Sequence, residues 1–532
     1  MMKKAIKKLL AALLAVAMVC AMAIPAFAGN YWETEEDLGT NHCYDAFQIF
    51  DGVVSDDNTI SNVGWGSSIA HPNEFLAQLT EDLTIGDKFE TSFTPQEAAA
   101  VISQWSDSDN NSIAFARCVC NYVYSDRDST PVLQGGHTNG FELEKAGYYL
   151  IVDTSSFSSD ANNDSYHAYN SFLLKVNKAN YHVQITPKVV KPTVEKKVYD
   201  NDDNSTPGDN NGWGSSADHA INEEFKFRLI AKLPASEGRA YDYYKKYTVC
   251  FNDTLSEGIT FDKLDTVEIT NGDGGASQVI DAANYTRTPN GSQFFKLSID
   301  DVKTCAEGLD LNKGATITVT YTAHLNDKAY VNTGSGSTEN KNSVRLQYSN
   351  NPRPDGEYWG YTPESEVYVY TYQLNNTKRA ETENGTPLPG AGFKLYSDKA
   401  YEHEVKLYKE GNFYYPIKNA LDKTPVEMKS ADDGTFNVRG LDAGTYYLKE
   451  TTTPADFTPC SVIPPVTITA NHTKDYVDLS GNLSTTIINK KAGGITLPST
   501  GGIGTTLFYV VGGGLMVAAI VLLVTKKRME NK

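Results

Sequence analysis

ITPKVVKPTVEKKVYD, residues 185–200, decides the fold. In TVEKKV a strand period of two puts Val194, Lys196 and Val198 on one face and Lys197 on the other. Lys196 is thereby aimed into an apolar interior, where an ammonium is costly unless it is paired or neutralised. The two prolines ahead of it, Pro187 and Pro192, mark a domain boundary.

Working outward, the same anomaly recurs with other chemistry. In KYTVCFNDTLSEGITF, Tyr247, Val249, Phe251 and Asp253 share a face; in ENKNSVRLQYSNNP, Asn342 shares one with Val344, Leu346 and Tyr348. A lysine, an acid and an asparagine are thus directed into one sandwich, with Asn340, of the same parity, as the alternative to Asn342. Further along, Lys378 lies in NNTKRA, Glu450 alternates with Tyr446 and Leu448, and Asn489 alternates with Ile487. Two ordered Lys–acid–Asn sets in consecutive domains are poorly explained by coincidence.

Short alternating segments such as TITVTYTAHL (316–325) and SEVYVYTYQL (365–374) read as half-buried strands. The expected fold class is mainly β, with tandem immunoglobulin-like sandwiches. The N-terminal domain adds helices, because Thr94, Pro95 and Glu97 form a capping box with proline at the first helical position, and IAFARCVCNYV reads as a second helix. SDSDNNS in that domain has Ser112 and Cys118 where a calcium loop needs glycine and a bidentate acid, so it reads as a solvated loop. A short echo, VGWGSSIA (63–70) and NGWGSSAD (211–218), reads as turn tryptophans capping sandwich edges.

The ends supply the compartment. Basic MMKKAIKK, an apolar run and Ala26-Phe27-Ala28 read as a secretory signal over 1–28. Near the C-terminus an apolar run at 505–524, long enough for a bilayer, precedes a basic tail at 525–532. The chain carries 47 basic and 66 acidic residues, net −19. That acidity argues against nucleic acid or anionic lipid as partner. Six cysteines follow the signal, too few for a disulfide scaffold, with Cys250 and Cys305 the candidate pair and no partner assigned to Cys43, Cys118 or Cys120. No spacing suits a metal, and no cofactor is expected. The expected layout is 29–186 N-terminal domain, 187–374 middle sandwich, 375–491 third sandwich and 492–532 C-terminal segment.

Leu497, Pro498, Ser499, Thr500 and Gly501, followed by the apolar span and basic tail, resemble the sortase sorting signal of Gram-positive surface proteins. PTVEKKV, YTVCFNDTLSEGITF and NSVRLQYSNNP resemble the isopeptide-forming middle domain of SpaA-type fimbrial subunits. LPGAGFKLY, YYLKETTTPADF and the terminal Asn489 resemble a Cna protein B-type domain, and YDAFQIFDG, GYYLIVDTS and AYNSFLLKV resemble the N-terminal domain of such subunits. Thr186-Pro187-Lys188 resembles the pilin motif, with threonine where many members have tyrosine.

The resemblance implies a wall-anchored pilus subunit in which a sortase, pilin-class or housekeeping, cleaves after Thr500. Its thioester passes to Lys188 of another copy or to peptidoglycan, with accessory pilins as further partners. It also implies bonds from Lys196 to Asn342, assisted by Asp253, and from Lys378 to Asn489, assisted by Glu450. Burial would give a neutral amine and a neutral acid that hydrogen-bonds the Asn carbonyl, the amine displacing ammonia. Each bond would join the first and last strands of its domain. YDAFQIFDG holds no lysine, so no such bond is expected in the N-terminal domain. The other reading of the whole is a singly anchored adhesin or accessory pilin; a turnover enzyme finds no nucleophile with an adjacent base.

Overall fold

The computed structural model describes residues 43–54, 60–106, 109–137, 141–154, 172–176, 181–183, 192–200, 211–236, 239–288, 293–354, 359–420, 422–493 and 503–530. The signal, Lys188, Lys191 and Leu497–Gly501 lie outside these residues.

In the N-terminal domain a sheet runs Ile60–Trp65, Cys43–Val54, Gly147–Asp153, Phe172–Val176, with Leu133–His137 paired to Cys43–Val54. Helices Pro72–Glu81, Pro95–Ile102 and Asn110–Ser125 cover one face and share its core through Phe75, Phe115 and Ile102. The capping box forms as the sequence predicts: Glu97 N–H donates to Thr94 Oγ1 (3.3 Å), and Thr94 N–H to Glu97 Oε2 (2.8 Å). Asp109, from the acidic stretch, caps the next helix by accepting from Asn111 N–H at 2.9 Å.

The middle domain is a sandwich of two sheets. One runs Gln278–Val279, Ile259–Asn271, Ala315–Leu325, Glu224–Leu233, Thr193–Tyr199, Trp213–Gly214. The other runs Ser216–Asp218, Ser365–Tyr370, Lys341–Ser349, Val249–Leu255, Phe294–Ile299, Tyr285–Thr288, with Trp359–Tyr361 on its Lys341–Ser349 strand. Alternate residues of both sheets, among them Phe227, Leu229, Val249, Phe251, Val319, Tyr321, Val344 and Leu346, fill the space between.

In the third domain one sheet runs Leu407–Glu410, Phe413–Pro416, Val438–Leu441, Tyr372–Ala380, Ser484–Asn489. The other runs Glu404–Val405, Gly392–Tyr396, Gly444–Thr452, Val466–His472, Val477–Gly481. The strand Tyr372–Ala380 runs through the expected boundary at 374/375. Tyr370, Tyr372 and Leu374 already pack in the third core, and SEVYVYTYQL breaks at Thr371 into a strand of each domain.

The middle and third domains are joined by paired polar groups. Ile221 N–H donates to Gly440 O (2.9 Å), and Asn222 Nδ2 to Pro416 O (2.9 Å). Gly440 has φ +77°, and a Cβ there would stand 2.5 Å from Ile221 Cδ1, so the seam needs glycine. His472 reaches across from the third domain. Its Nδ1 hydrogen-bonds with Ser216 Oγ at 2.8 Å, and its Nε2 stands 3.5 Å from Asp200 and 3.8 Å from Asp218.

Three expectations are corrected. Cys250 and Cys305 do not form a disulfide. Cys250 alternates with inward-facing Val249 and Phe251 and opposes Ser298 and Gln347, whereas Cys305 sits in the core and donates its thiol to Val302 O at 3.2 Å. The two thiols therefore lie on different faces of the sheet. Secondly, the Asn342 strand is not the last of its domain, since Ser365–Tyr370 follows and pairs with it. The echo tryptophans lie in edge strands, not in turns: Trp65 ends Ile60–Trp65 and stacks on Phe50 (5.2 Å), and Trp213 opens Trp213–Gly214 and carries the Arg228 guanidinium at 3.9 Å.

Residues Ile503–Glu530 form one helix covering the expected span. Among the described residues no helix is long and apolar enough to cross a membrane, the side chains of this one being described only from Val511 to Lys527. Leu515, Val517, Leu522 and Leu523 on it are more than 60% exposed.

Candidate functional site

Strand parity brings Lys196, Asp253 and Asn342 together between the sheets of the middle domain, each 2% exposed or less. Lys196 opposes Leu229 in its own sheet. Asp253 and Asn342 come from adjacent strands of the facing sheet, where Asp253 opposes Val344 and Asn342 opposes Leu255, so they are diagonal neighbours. Lys196 Nζ donates to Asp253 Oδ1 at 2.5 Å. A group that inspection of the sequence did not single out completes the cluster: the Tyr321 hydroxyl accepts from Lys196 Nζ (3.1 Å), donates to Asp253 Oδ2 (2.8 Å) and accepts from Asn342 Nδ2 (2.6 Å). The Asn342 carbonyl oxygen is buried and has no hydrogen-bond partner.

The electrostatics follow from burial. Loss of water pushes the Lys196 ammonium down to about 8 against the pull of Asp253, and the same loss raises the Asp253 carboxyl despite Lys196. The amine lies 5.3 Å from the Phe227 ring centre and 5.4 Å from that of Tyr321. Each partner is displaced toward its neutral form, so this is a pair poised to exchange one proton.

Asn340 is held elsewhere. Its Oδ1 accepts from Tyr330 N–H (2.7 Å), and its Nδ2 donates to Tyr330 O (2.8 Å) and Val369 O (3.0 Å), pinning the segment before the strand. All its polar atoms serve the backbone, and it makes no contact with Lys196.

In the third domain Lys378 Nζ donates to Asn489 Oδ1 at 2.5 Å, and Asn489 Nδ2 donates to Glu450 Oε1 at 2.6 Å. Lys378 Nζ and Glu450 Oε1 are 3.9 Å apart, with both side chains at most 1% exposed. Lys378 and Asn489 lie on adjacent parallel strands, where Lys378 opposes Ile487 and Asn489 opposes Ala380; Glu450 reaches them from the facing sheet. The Cys460 backbone N–H fixes the second acid oxygen, Oε2, at 2.6 Å. Burial lowers the Lys378 pKa, with Glu450 opposing.

In neither cluster does the acid meet the asparagine carbonyl, unlike the geometry anticipated from the resemblance: Glu450 touches Asn489 Nδ2 directly, and Asp253 is linked to Asn342 Nδ2 through the Tyr321 hydroxyl. Lys197, expected to be solvated, is half-buried with its Nζ 3.7 Å from Glu195. The first strand of the N-terminal domain carries Asp45 and Gln48 inward. Asp45 Oδ1 accepts from Gly135 N–H at 2.9 Å, and Gln48 Nε2 donates to Tyr149 OH at 3.1 Å.

Comparison with known families matches residues 374–482 to the SpaA prealbumin-like fold domain and residues 489–531 to the LPXTG cell wall anchor motif. The chain carries a SpaA domain and a wall anchor. It is therefore a cell-wall-anchored surface protein, and Asn489 closes the strand that follows the matched SpaA residues and opens the matched anchor segment. No curated protein matches the sequence.

Among solved structures the chain is similar to the T6 backbone pilin of serotype M6 Streptococcus pyogenes, at 16% identity over 86% of this chain and 97% of that one, TM-score 0.48. It is similar to the full-length major pilin SpaD of Corynebacterium diphtheriae, at 18% identity over 85% and 93%, TM-score 0.40. It is also similar to the C-terminal fragment of the major pilin GBS80 of Streptococcus agalactiae, at 20% identity over 56% and 99%, TM-score 0.40.

Proposed function

We propose that this protein is the structural backbone subunit of a covalently polymerised pilus, stiffened by a Lys196–Asn342 bond and a Lys378–Asn489 bond. The observation that carries the reading is the SpaA-domain cluster: an amine 2.5 Å from an amide oxygen, an acid 2.6 Å from the amide nitrogen, all buried and directly ahead of a wall anchor. An amine held against an amide with an acid on the leaving group is arranged for acyl transfer. Lysine nitrogen bonds to the Asn Cγ, the Cγ–Nδ2 bond breaks, the acid carries the amine proton to the departing nitrogen, and ammonia leaves. The reaction happens once per domain, which makes the chain its own substrate and not a turnover enzyme.

The middle cluster supports the same chemistry with Asn342 as acceptor, because Asn342 shares the Tyr321 hydroxyl with Lys196 while Asn340 is occupied by backbone. Each bond would close a loop of more than a hundred residues and stabilise its domain by roughly 5 kcal/mol by loop entropy. In the assembled polymer a sortase would join Thr500 of one subunit to Lys188 of the next. Peptidoglycan would take the final thioester, and load would run through the bonded lysines.

Wall extracts boiled in detergent test the polymer. A ladder of covalent multimers that collapses to one band in Lys188→Ala is the expected result. A single band in both strains would make the chain a singly anchored adhesin.

A further inference from the structure

We propose that Tyr321 is a catalytic residue of the middle-domain bond, relaying a proton from Asp253 to the departing Asn342 nitrogen. The inference rests on the bond-forming reading above and concerns one step of it. Three distances carry it: the hydroxyl is 3.1 Å from the nucleophile, 2.8 Å from the acid and 2.6 Å from the leaving nitrogen. Among the described residues it is the group that hydrogen-bonds to all three.

The need for a relay follows from the register. Asp253 and Asn342 are diagonal on neighbouring strands, a separation of roughly 7 Å between Cβ atoms. An aspartate, one methylene shorter than a glutamate, makes no direct hydrogen bond to that asparagine. In the third domain Glu450 reaches from the facing sheet and touches Asn489 Nδ2 itself at 2.6 Å. Asp253 together with the Tyr321 hydroxyl thus occupies the place that Glu450 fills alone.

The phenol is also fixed. Its ring is fully buried and boxed by Phe227 (5.3 Å), Phe261 (5.4 Å) and Phe295 (5.3 Å, edge-on), so the hydroxyl cannot swing away. Burial and the adjacent Asp253 hold its proton on far above the ordinary phenol range, which keeps it a donor at neutral pH.

The step balances as follows. Neutral Lys196 attacks Asn342 Cγ, forming C–N, and the former amide Nδ2 becomes a basic amine. The Tyr321–Nδ2 hydrogen bond reverses, and the phenol gives Nδ2 its proton as the Cγ–Nδ2 bond breaks. Asp253 reprotonates the phenolate and takes the surplus proton from the attacking nitrogen. Ammonia leaves, and Asp253 and Tyr321 return to their starting forms.

The test follows intact mass and peptide mapping of freshly produced protein spanning Gly29 to Thr500, the form left by export and sorting. In wild type, both the Lys196 and the Lys378 peptides are expected cross-linked, each bond costing about 17 Da as ammonia. Tyr321→Phe keeps the ring and is expected to slow the middle-domain loss by about 100-fold or more while the third-domain loss is unchanged. Adding Asp253→Glu, whose longer arm reaches Asn342 directly, is expected to recover most of that rate, which a merely structural tyrosine would not allow. Wild-type rate in Tyr321→Phe overturns the relay. So does failure of the double variant to recover while near-UV dichroism shows a folded middle domain. A wild-type middle domain that never loses ammonia overturns the bond-forming reading itself, a separate outcome.

Discussion

The middle and third domains hold the same three functional groups with the sheets exchanged. In both, two groups sit diagonally on adjacent strands of one sheet and the remaining one crosses from the facing sheet. In the middle domain the acid and asparagine share a sheet and the lysine crosses; in the third the lysine and asparagine share a sheet and the acid crosses. The difference teaches what constrains the acid. A crossing acid needs reach and is a glutamate, whereas an acid beside its asparagine on the same sheet is an aspartate that meets the lysine at 2.5 Å and the amide only through a phenol.

The largest expected break in this symmetry comes from Lys196→Met. It removes the bond, worth roughly 5 kcal/mol, and takes from buried Asp253 the nitrogen it hydrogen-bonds, a further penalty of about 1–3 kcal/mol. The middle domain should unfold well before the third in a urea titration followed by limited proteolysis. Next, Asn489→Ala removes only the third-domain bond. It should lower that domain's stability by roughly 5 kcal/mol, abolish one ammonia loss and leave the other intact.

Glu450→Gln sharpens the comparison kinetically. Third-domain bond formation should slow by about 100-fold or more in a mass time course, with the middle domain unaffected. The pH profile is gentler and carries a definite sign. The Lys196–Asp253 pair needs one shared proton, so the rate should fall as pH rises past about 8, where the pair loses it. It should fall also at low pH, where Asp253, raised by burial, takes a second proton and the amine stays charged. A rate that keeps rising above that alkaline limb would count against the proton exchange. The smallest effect is expected from Cys250→Ser. It should change neither the stability order of the domains nor migration on a non-reducing gel, since Cys250 takes part in no disulfide.

Much of this was legible because a strand's period of two is rigid. Lys196, Asp253 and Asn342, and likewise Lys378, Glu450 and Asn489, are out of place among apolar neighbours, and parity alone directs them inward. Tyr321 obeys the same parity in TITVTYTAHL, yet an inward tyrosine between Val319 and Ala323 is ordinary core. Its hydroxyl acquires a role only once the facing sheet is known. Asn340 and Asn342 share parity too; they part because the strand begins at Lys341, so Asn340 answers to the loop at Tyr330. Sheet order is equally hidden: SEVYVYTYQL reads as a strand, but only the fold shows that Ser365–Tyr370 pairs beside the Asn342 strand and closes the domain after it. The parity of Cys250, opposite to that of Val249 and Phe251, already sets its thiol apart from the core that holds Cys305.

The parallel pairing of Tyr372–Ala380 with Ser484–Asn489 has one more consequence. Parallel neighbours at the two ends of a domain send the incoming and outgoing chain to opposite poles. The chain between Lys378 and Asn489, a separation of 111 positions, is then stored slack, worth about 390 Å of contour if drawn straight. The proposed bond across that gap would take the slack out of circuit. A fibre of such units would stretch by bending its seams, and its measured length under load would be fixed by subunit count.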